Sequence, residues 1–267
     1  MRTRLSQHFL HDRSVAARIA ASVPVGEGSR VVEIGPGRGA LTGPLLERGF
    51  RVLAIELDRE LAAGLRERWG GAGLEVVQAD ALDVRLPPAE PGAPLWVVGN
   101  LPYAITSPLL FHVLDQVDAA GIGGMVFMIQ REVADRLAAE PGTKAYGALT
   151  IGVRLVADVE PLFDVGAGAF RPPPAVVSTV VRLIPHDRFA LNRARRERLR
   201  SLVQALFGQR RKQIQKSLRT LRGLSLSPGA VARVARGSGL DLARRPETLS
   251  LEEILALDMA LEGVGSL

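Results

Sequence analysis

The feature that most narrows the fold is an alternation. Short apolar runs at residues 31–34, 52–56, 74–78, 95–98 and 125–129 are separated by amphipathic stretches at 40–47, 59–69, 108–117 and 132–139. Each run is rich in Val, Ile and Leu and bounded by Gly, Pro or charge, the pattern of a strand buried on both faces. Strands interleaved with helices predict parallel crossovers, and hence an α/β fold built on a doubly wound sheet. A further run at 176–183 is expected to close the sheet, and the prolines of LPPAEPGAP (86–94) mark a loop. After Pro185 the texture changes, with helical spacing at 193–207, 209–221, 228–238 and 251–261 and no strand pattern between. The sequence therefore predicts a sheet domain over 1–186 and a small helical domain over 187–267.

Charge is concentrated in the second part. Of a net charge of +6 over 267 residues, the segment 188–222 carries twelve Lys or Arg against the single acid Glu197, leaving the rest mildly acidic. A basic block on an acidic body predicts a polyanionic partner such as nucleic acid. In 209–221, helical spacing places Ile214, Leu218 and Leu221 on one apolar stripe. Lys212, Lys216 and Arg219 follow a neighbouring one, where with Arg210 and Arg211 they are expected to meet phosphates. Helix 193–207 repeats the arrangement, with Leu199, Leu202, Val203 and Leu206 inward and its arginines outward.

Other absences exclude whole classes. The chain has no cysteine, so disulfides, thiolate metal ligands and the cysteine chemistry that methylates pyrimidine C5 carbons are ruled out. Its four histidines (His8, His11, His112 and His186) are too scattered to predict a metal cluster. No run of eighteen apolar residues predicts a membrane span. The start MRTRLSQHFLHDRSV has no apolar signal region, so a cytoplasmic protein is expected. Trp69 and Trp96 read as core residues.

Residues 31–42, VVEIGPGRGALT, read as strand, then Gly35, Gly37 and Gly39, then helix. Glycines at such a turn let backbone approach a ligand closely. The nicotinamide fingerprint has its third glycine one place later. The ExGxGxG spacing here resembles the first motif of S-adenosylmethionine-dependent methyltransferases instead. Glu56 ends the second strand, where an acid accepts hydrogen bonds from ribose hydroxyls. Asp58, two residues on, reads as a helix cap. Asp80 ends the third strand, placed to accept from an adenine amino group, with Ala81 leaving room for the ring.

After the fourth strand comes Asn100-Leu101-Pro102-Tyr103. An aromatic amine such as that of adenine is planar, its lone pair delocalised into the ring. Two acceptors set against its two N–H bonds, the Asn100 side-chain oxygen and the Leu101 carbonyl, favour a tetrahedral nitrogen with the lone pair aimed at a methyl donor. Pro102 stiffens the loop and offers no competing N–H. Tyr103 is expected to stack on the base, which must be unstacked or flipped to reach it.

Over nearly its whole length the chain resembles the KsgA-type ribosomal RNA adenine dimethyltransferases. The likeness is carried by SQHFL (6–10), EIGPGRGALT (33–42), IELD (55–58), ADAL (79–82), NLPYAITSPLLF (100–111), MIQREVADRL (128–137), KAYGALT (144–150), AFRPPPAVVSTVVRL (169–183), QRRKQIQKSL (209–218) and RPETLS (245–250). The resemblance implies dimethylation of the N6 amines of two adjacent adenosines in the 3′-terminal hairpin loop of 16S ribosomal RNA. It implies a part in small-subunit biogenesis, no metal, and a monomer. By the family pattern His8, Leu10, Gly35, Gly37, Glu56, Leu57, Asp80, Ala81 and Asn100 hold S-adenosylmethionine. Phe170 is implied as the aromatic that sandwiches the base opposite Tyr103. His8 and Ala104 stand where many members have Asn. The alternatives are an Erm-type 23S ribosomal RNA adenine methyltransferase and a non-catalytic ribosome-assembly protein that binds RNA. The intact Asn100–Tyr103 stretch argues against the second.

Overall fold

The computed structural model describes residues 8–220 and 226–264. In chain order the first elements are β1 (Phe9–Leu10), α1 (Arg13–Ala21), β2 (Arg30–Ile34), α2 (Thr42–Glu47), β3 (Arg51–Glu56), α3 (Arg59–Trp69) and β4 (Leu74–Gln78). There follow β5 (Leu95–Asn100), α4 (Thr106–Leu114), α5 (Val117–Ala120), β6 (Ile122–Gln130), α6 (Arg131–Leu137) and α7 (Ala148–Arg154). Then come β7 (Ala157–Val165), β8 (Phe170–Arg171), β9 (Ser178–Pro185), α8 (Arg193–Gly208), α9 (Ile214–Thr220), α10 (Pro228–Ser238) and α11 (Leu251–Glu262). The chain divides into two units, residues 1–134 with 157–186, and residues 135–156 with 187–267.

The first unit is a seven-stranded α/β sheet in the order β4-β3-β2-β5-β6-β9-β7. The pairs from β4 to β6 are parallel, whereas β9 runs antiparallel to both β6 and β7. The expected Rossmann-like fold class is what forms. Its parallel strands are the continuous apolar runs of the sequence; Val31, Val52, Trp96, Val98, Val126 and Met128 are buried in one core cluster. Strand order reverses direction between β2 and β5. That is the switch point, where α/β sheets open a crevice at the carboxyl ends of their strands. Asp58 caps α3 by accepting from the N–H groups of Glu60 and Leu61.

Three strands, β1, β7 and β8, escape the periodicity. β7 reads ADVEPLFDV, with acids and Pro161 interrupting the apolar pattern; it lies at the sheet edge, the place that tolerates a strand proline. β1 is a two-residue strand that pairs with β8, Leu10 opposite Phe170 and Phe9 opposite Arg171.

In the second unit, residues 135–156 accompany the C-terminal helices, although the sequence reading kept them with the sheet. The reason is a polar and aromatic anchorage spread far along the chain. The buried Tyr146 hydroxyl donates to the Leu249 carbonyl at 2.8 Å, and its ring meets Phe207 edge-on at 6.1 Å. The Arg210 guanidinium donates to the Thr143 and Lys144 carbonyls and to Glu247. Inward positions Leu199, Leu202, Val203 and Leu206 of α8 are buried as expected. Arg193 is directed to solvent as expected, but other arginines of α8 are not. Arg195 and Arg198 converge on Asp258, which is wholly buried, and Arg198 also reaches Glu262.

The segment 209–221 also differs: its helix begins only at Ile214. The N–H groups of Ile214 and Gln215 donate to the Arg244 and Leu242 carbonyls, so distant chain satisfies donors that a longer helix would satisfy internally. Ile214 and Leu218 are buried; Leu221 lies outside the described residues.

Because Asp258 holds two guanidinium groups, Asp258→Ala is expected to lower unfolding free energy by about 2–3 kcal/mol, towards the cost of breaking a buried pair. Urea titration checks this, and a loss below about 0.5 kcal/mol contradicts it.

Candidate active site

The carboxyl ends of β2, β3, β4 and β5 surround one cavity of about 1180 Å³. Its wall holds the β2 turn, Glu56 and Leu57, Asp80 and Ala81, Asn100 to Tyr103, and His8 to Leu10. Of the expected cofactor set, every residue lies on this wall.

The turn itself explains its glycines. Gly35 and Gly37 have φ of +64° and +57°, a left-handed conformation that side chains resist. A Cβ on Gly35 would meet nothing within 4 Å and would project into open space beside the cavity. The third glycine has a different reason. A Cβ on Gly39 would lie 2.3 Å from the Trp69 ring, so this position is needed for close packing of α3. Trp69 is half-buried against it, whereas Trp96 is fully in the core.

Three carboxylates face the cavity with distinct partners. Glu56, buried, accepts from the Gly37 N–H through Oε2 and from the Asp58 N–H through Oε1, both at 2.9 Å. Each oxygen keeps a lone pair for a further donor such as a hydroxyl. Asp80 uses Oδ1 to accept from the Leu82 N–H. Glu33 is the residue the sequence reading passed over, though it is the first letter of the ExGxGxG pattern. It is 1% exposed and accepts from the Thr42 hydroxyl at 2.6 Å. Burial pushes its carboxyl up from an ordinary 4.5 to about 7, opposed by the Thr42 hydrogen bond and aided by the nearby Glu56 charge.

At the end of β5, the Asn100 Nδ2 donates to the His8 carbonyl at 3.2 Å. A carbonyl oxygen only accepts, so the amide orientation is determined and Oδ1 is left as an acceptor. The Leu101 N–H donates to the Met128 carbonyl in the neighbouring strand, holding the peptide that precedes the residue whose carbonyl is the second acceptor. The Pro102 carbonyl accepts from the Ile105 N–H and the Thr106 hydroxyl, which turns the chain into α4. Tyr103 shares a hydrogen bond of 2.9 Å with the buried Ser178 hydroxyl. The His8 ring lies 5.8 Å from the Tyr103 ring, tilted by 32°.

Phe170 corrects an expectation. It is 2% exposed, packs in the core cluster beside Leu10 and Val180, and does not line the cavity. Its pairing with Leu10 across β1 and β8 turns it inward, and Pro172 occupies the cavity wall instead. Arg210 corrects another, its guanidinium being consumed by Glu247 and two carbonyls. Arg211, Lys212, Lys216 and Arg219 are exposed. Among the described residues no group of His, Asp and Glu is placed to hold a metal ion, and no helix is long and apolar enough to cross a membrane.

Comparison with known proteins matches this geometry. The model of a family described as ribosomal RNA adenine dimethylase matches residues 1–257. The chain is 47% identical over 259 residues to the ribosomal RNA small subunit methyltransferase A of Nitrosococcus oceani, covering 96% of this chain and 94% of that one. The protein of the same name from Alcanivorax borkumensis is 44% identical over 259 residues, 96% of this chain and 88% of that one. Among solved structures, a dimethyladenosine transferase from Plasmodium falciparum is similar with a TM-score of 0.78 at 25% identity, covering 97% and 99% of the two chains. The 23S rRNA methyltransferase ErmE is similar with a TM-score of 0.68 at 32% identity, covering 95% and 99%.

Glu33 makes the cofactor-free protein sensitive to pH. Between pH 4.5 and about 7 the unfolded chain releases this proton while the folded chain keeps it. The folded state then binds more protons, so stability falls as pH rises. Above about 7 the full penalty of about 3 kcal/mol is present. The advantage of Glu33→Gln over the natural chain is expected to grow by about 2.5 kcal/mol from pH 5 to pH 8 in urea unfolding, since a part of the penalty is already present at pH 5. A pH-independent difference contradicts it.

Proposed function

The chain belongs to the ribosomal RNA adenine dimethylase family, and on that premise we propose how its cavity carries out adenine N6 dimethylation. The enzyme is an rRNA adenine dimethyltransferase. The reading assigns it the small-subunit 16S rRNA and two adjacent adenosines in the 3′-terminal hairpin loop, supported by relatives that share the small-subunit name. It places the work in the cytoplasm, by a monomer, as part of small-subunit biogenesis.

The cavity fits S-adenosylmethionine by its open space above Gly35 and by the carboxylates that line it. When bound, this cofactor supplies a methyl group on a sulfonium. Gly35, Gly37, Glu56, Leu57, Asp80 and Ala81 would hold it, with Asn100 and the segment from His8 to Leu10.

The observation that carries the reading is the pinned Asn100 amide. With Nδ2 held by the His8 carbonyl, Oδ1 is fixed as an acceptor on the cavity wall. The Leu101 carbonyl, on a residue whose N–H is held by the Met128 carbonyl, is the second acceptor. Together they take both N–H bonds of the adenine amine and disfavour the planar nitrogen, leaving its lone pair free to react. Tyr103, steadied by Ser178, offers a ring to the base. The catalytic effect is positioning and preorganised hydrogen bonding.

Exposed Arg211, Lys212, Lys216 and Arg219 are assigned to the RNA backbone, where they add affinity without reading sequence.

Asn100→Ala is expected to abolish methyl transfer to unmethylated small subunits, by about 10³-fold or more, while RNA binding stays within about twofold of the natural chain. Radiolabel incorporation beside filter binding checks both; undiminished transfer removes Asn100 from the mechanism. Glu in place of Arg211, Lys212 and Lys216 together is expected to weaken subunit binding and to flatten its salt dependence by about 0.7–0.9 in log–log slope per lost phosphate contact. Unchanged affinity moves the RNA surface elsewhere.

A further inference from the structure

Residue 8 touches three parts of the site at once. Its main-chain carbonyl accepts from Asn100 Nδ2 at 3.2 Å. Its ring Nδ1 lies 2.8 Å from the Pro172 carbonyl, and because a carbonyl only accepts, Nδ1 carries the proton. Its ring plane faces Tyr103. Main chain on either side is held differently. Phe9 and Leu10 pair with Arg171 and Phe170, and His11 N–H donates to the Ala169 carbonyl. That ladder ends at Phe9, so residue 8 is the first one beyond it, joined to it through the peptide that carries the His8 carbonyl. The side chain adds a second restraint on residue 8, running from Nδ1 to the residue after β8.

We propose that His8 is a positioning residue for methyl transfer: its imidazole, latched to Pro172, holds the His8 carbonyl against the Asn100 amide and so determines which end of that amide meets the substrate amine. The inference rests on the assignment of Asn100 Oδ1 as an acceptor under Proposed function. Without the latch the carbonyl swings away, the carboxamide loses the partner that distinguishes its two ends, and Nδ2 competes with Oδ1 for the same place. A donor turned towards an amine N–H is a repulsive contact, so a misoriented fraction is inactive. The latch needs only an N–H attached at Cγ. An asparagine at this position presents one in the same place, since its Nδ2 and the histidine Nδ1 are both bonded to Cγ.

Four measurements together decide the matter. His8→Ala and His8→Asn are assayed on unmethylated small subunits at saturating S-adenosylmethionine. His8→Ala is expected to lower kcat by about 10–100-fold with KM for the subunit within about threefold, the size of loss a small misplacement produces. His8→Asn is expected to recover to within about threefold of the natural chain. Exchange of the Asn100 side-chain amide protons, followed by NMR on the cofactor-free protein, is expected to quicken in His8→Ala and not in His8→Asn. Asn100→Asp accepts through either oxygen, so adding His8→Ala to it is expected to cost less than about twofold in a double-mutant cycle.

An unchanged kcat for His8→Ala overturns the latch, as does a loss confined to the KM for S-adenosylmethionine. Unaltered amide exchange, or an equal loss on the Asn100→Asp background, overturns it too. If the natural chain itself fails to methylate small subunits, the proposed function fails, while the amide exchange still judges the latch.

Discussion

The site depends first on one buried carboxylate. The glycine turn after β2 follows the last rung of its strand and has little ladder of its own to define it. Glu56, at the end of the next strand, reaches back to the Gly37 N–H and forward to the Asp58 N–H. A single side chain therefore joins the turn to the start of α3, whose N-cap is Asp58. Burying a carboxylate is costly unless N–H donors compensate, and here two do. The cavity owes its floor to this arrangement. Every other contact of the site, from Asp80 to Asn100, is placed relative to that floor by the parallel registers of β2, β3, β4 and β5.

Much of this was legible in the residues because it is local. Parallel strands buried on both faces announce themselves as apolar runs; Leu74–Gln78 and Arg59–Trp69 also form over the residues the pattern marks, although Leu74–Gln78 lies at the sheet edge and is only partly buried. The Asn100 loop was legible for another reason: asparagine and proline after a strand have few structural uses. What was not legible lay in distant pairings. β1 is two residues long, and its strand character exists only through β8, some 160 positions away. Phe170 is buried by that same pairing, so a motif that pointed to a base platform gave a core residue. Glu33 gains its unusual protonation from complete burial, which no spacing reveals.

The basic helices teach a complementary lesson. Counting charges on α8 and its neighbours treats each arginine as free, yet Asp258, Glu262 and Glu247 come from sequence about 40 to 60 residues on and absorb Arg195, Arg198 and Arg210. An acid-poor segment can thus be neutralised by acids from elsewhere. Among the described residues of that segment, Arg211, Lys212, Lys216 and Arg219 are exposed. Net charge forecast the partner class better than it forecast the contacts.

Strand β9 sits between β6 and β7, antiparallel to both, though it is made after either. Until the ribosome has released that stretch, β6 has a bare hydrogen-bonding edge and β7 has no neighbour at all. Ser178, which steadies Tyr103, is the first residue of β9. The Asn100–Tyr103 loop is therefore emitted early but completed late, by a strand encoded 75 residues downstream of Tyr103. A nascent chain stalled before that point has the crevice residues but lacks the partner that fixes Tyr103.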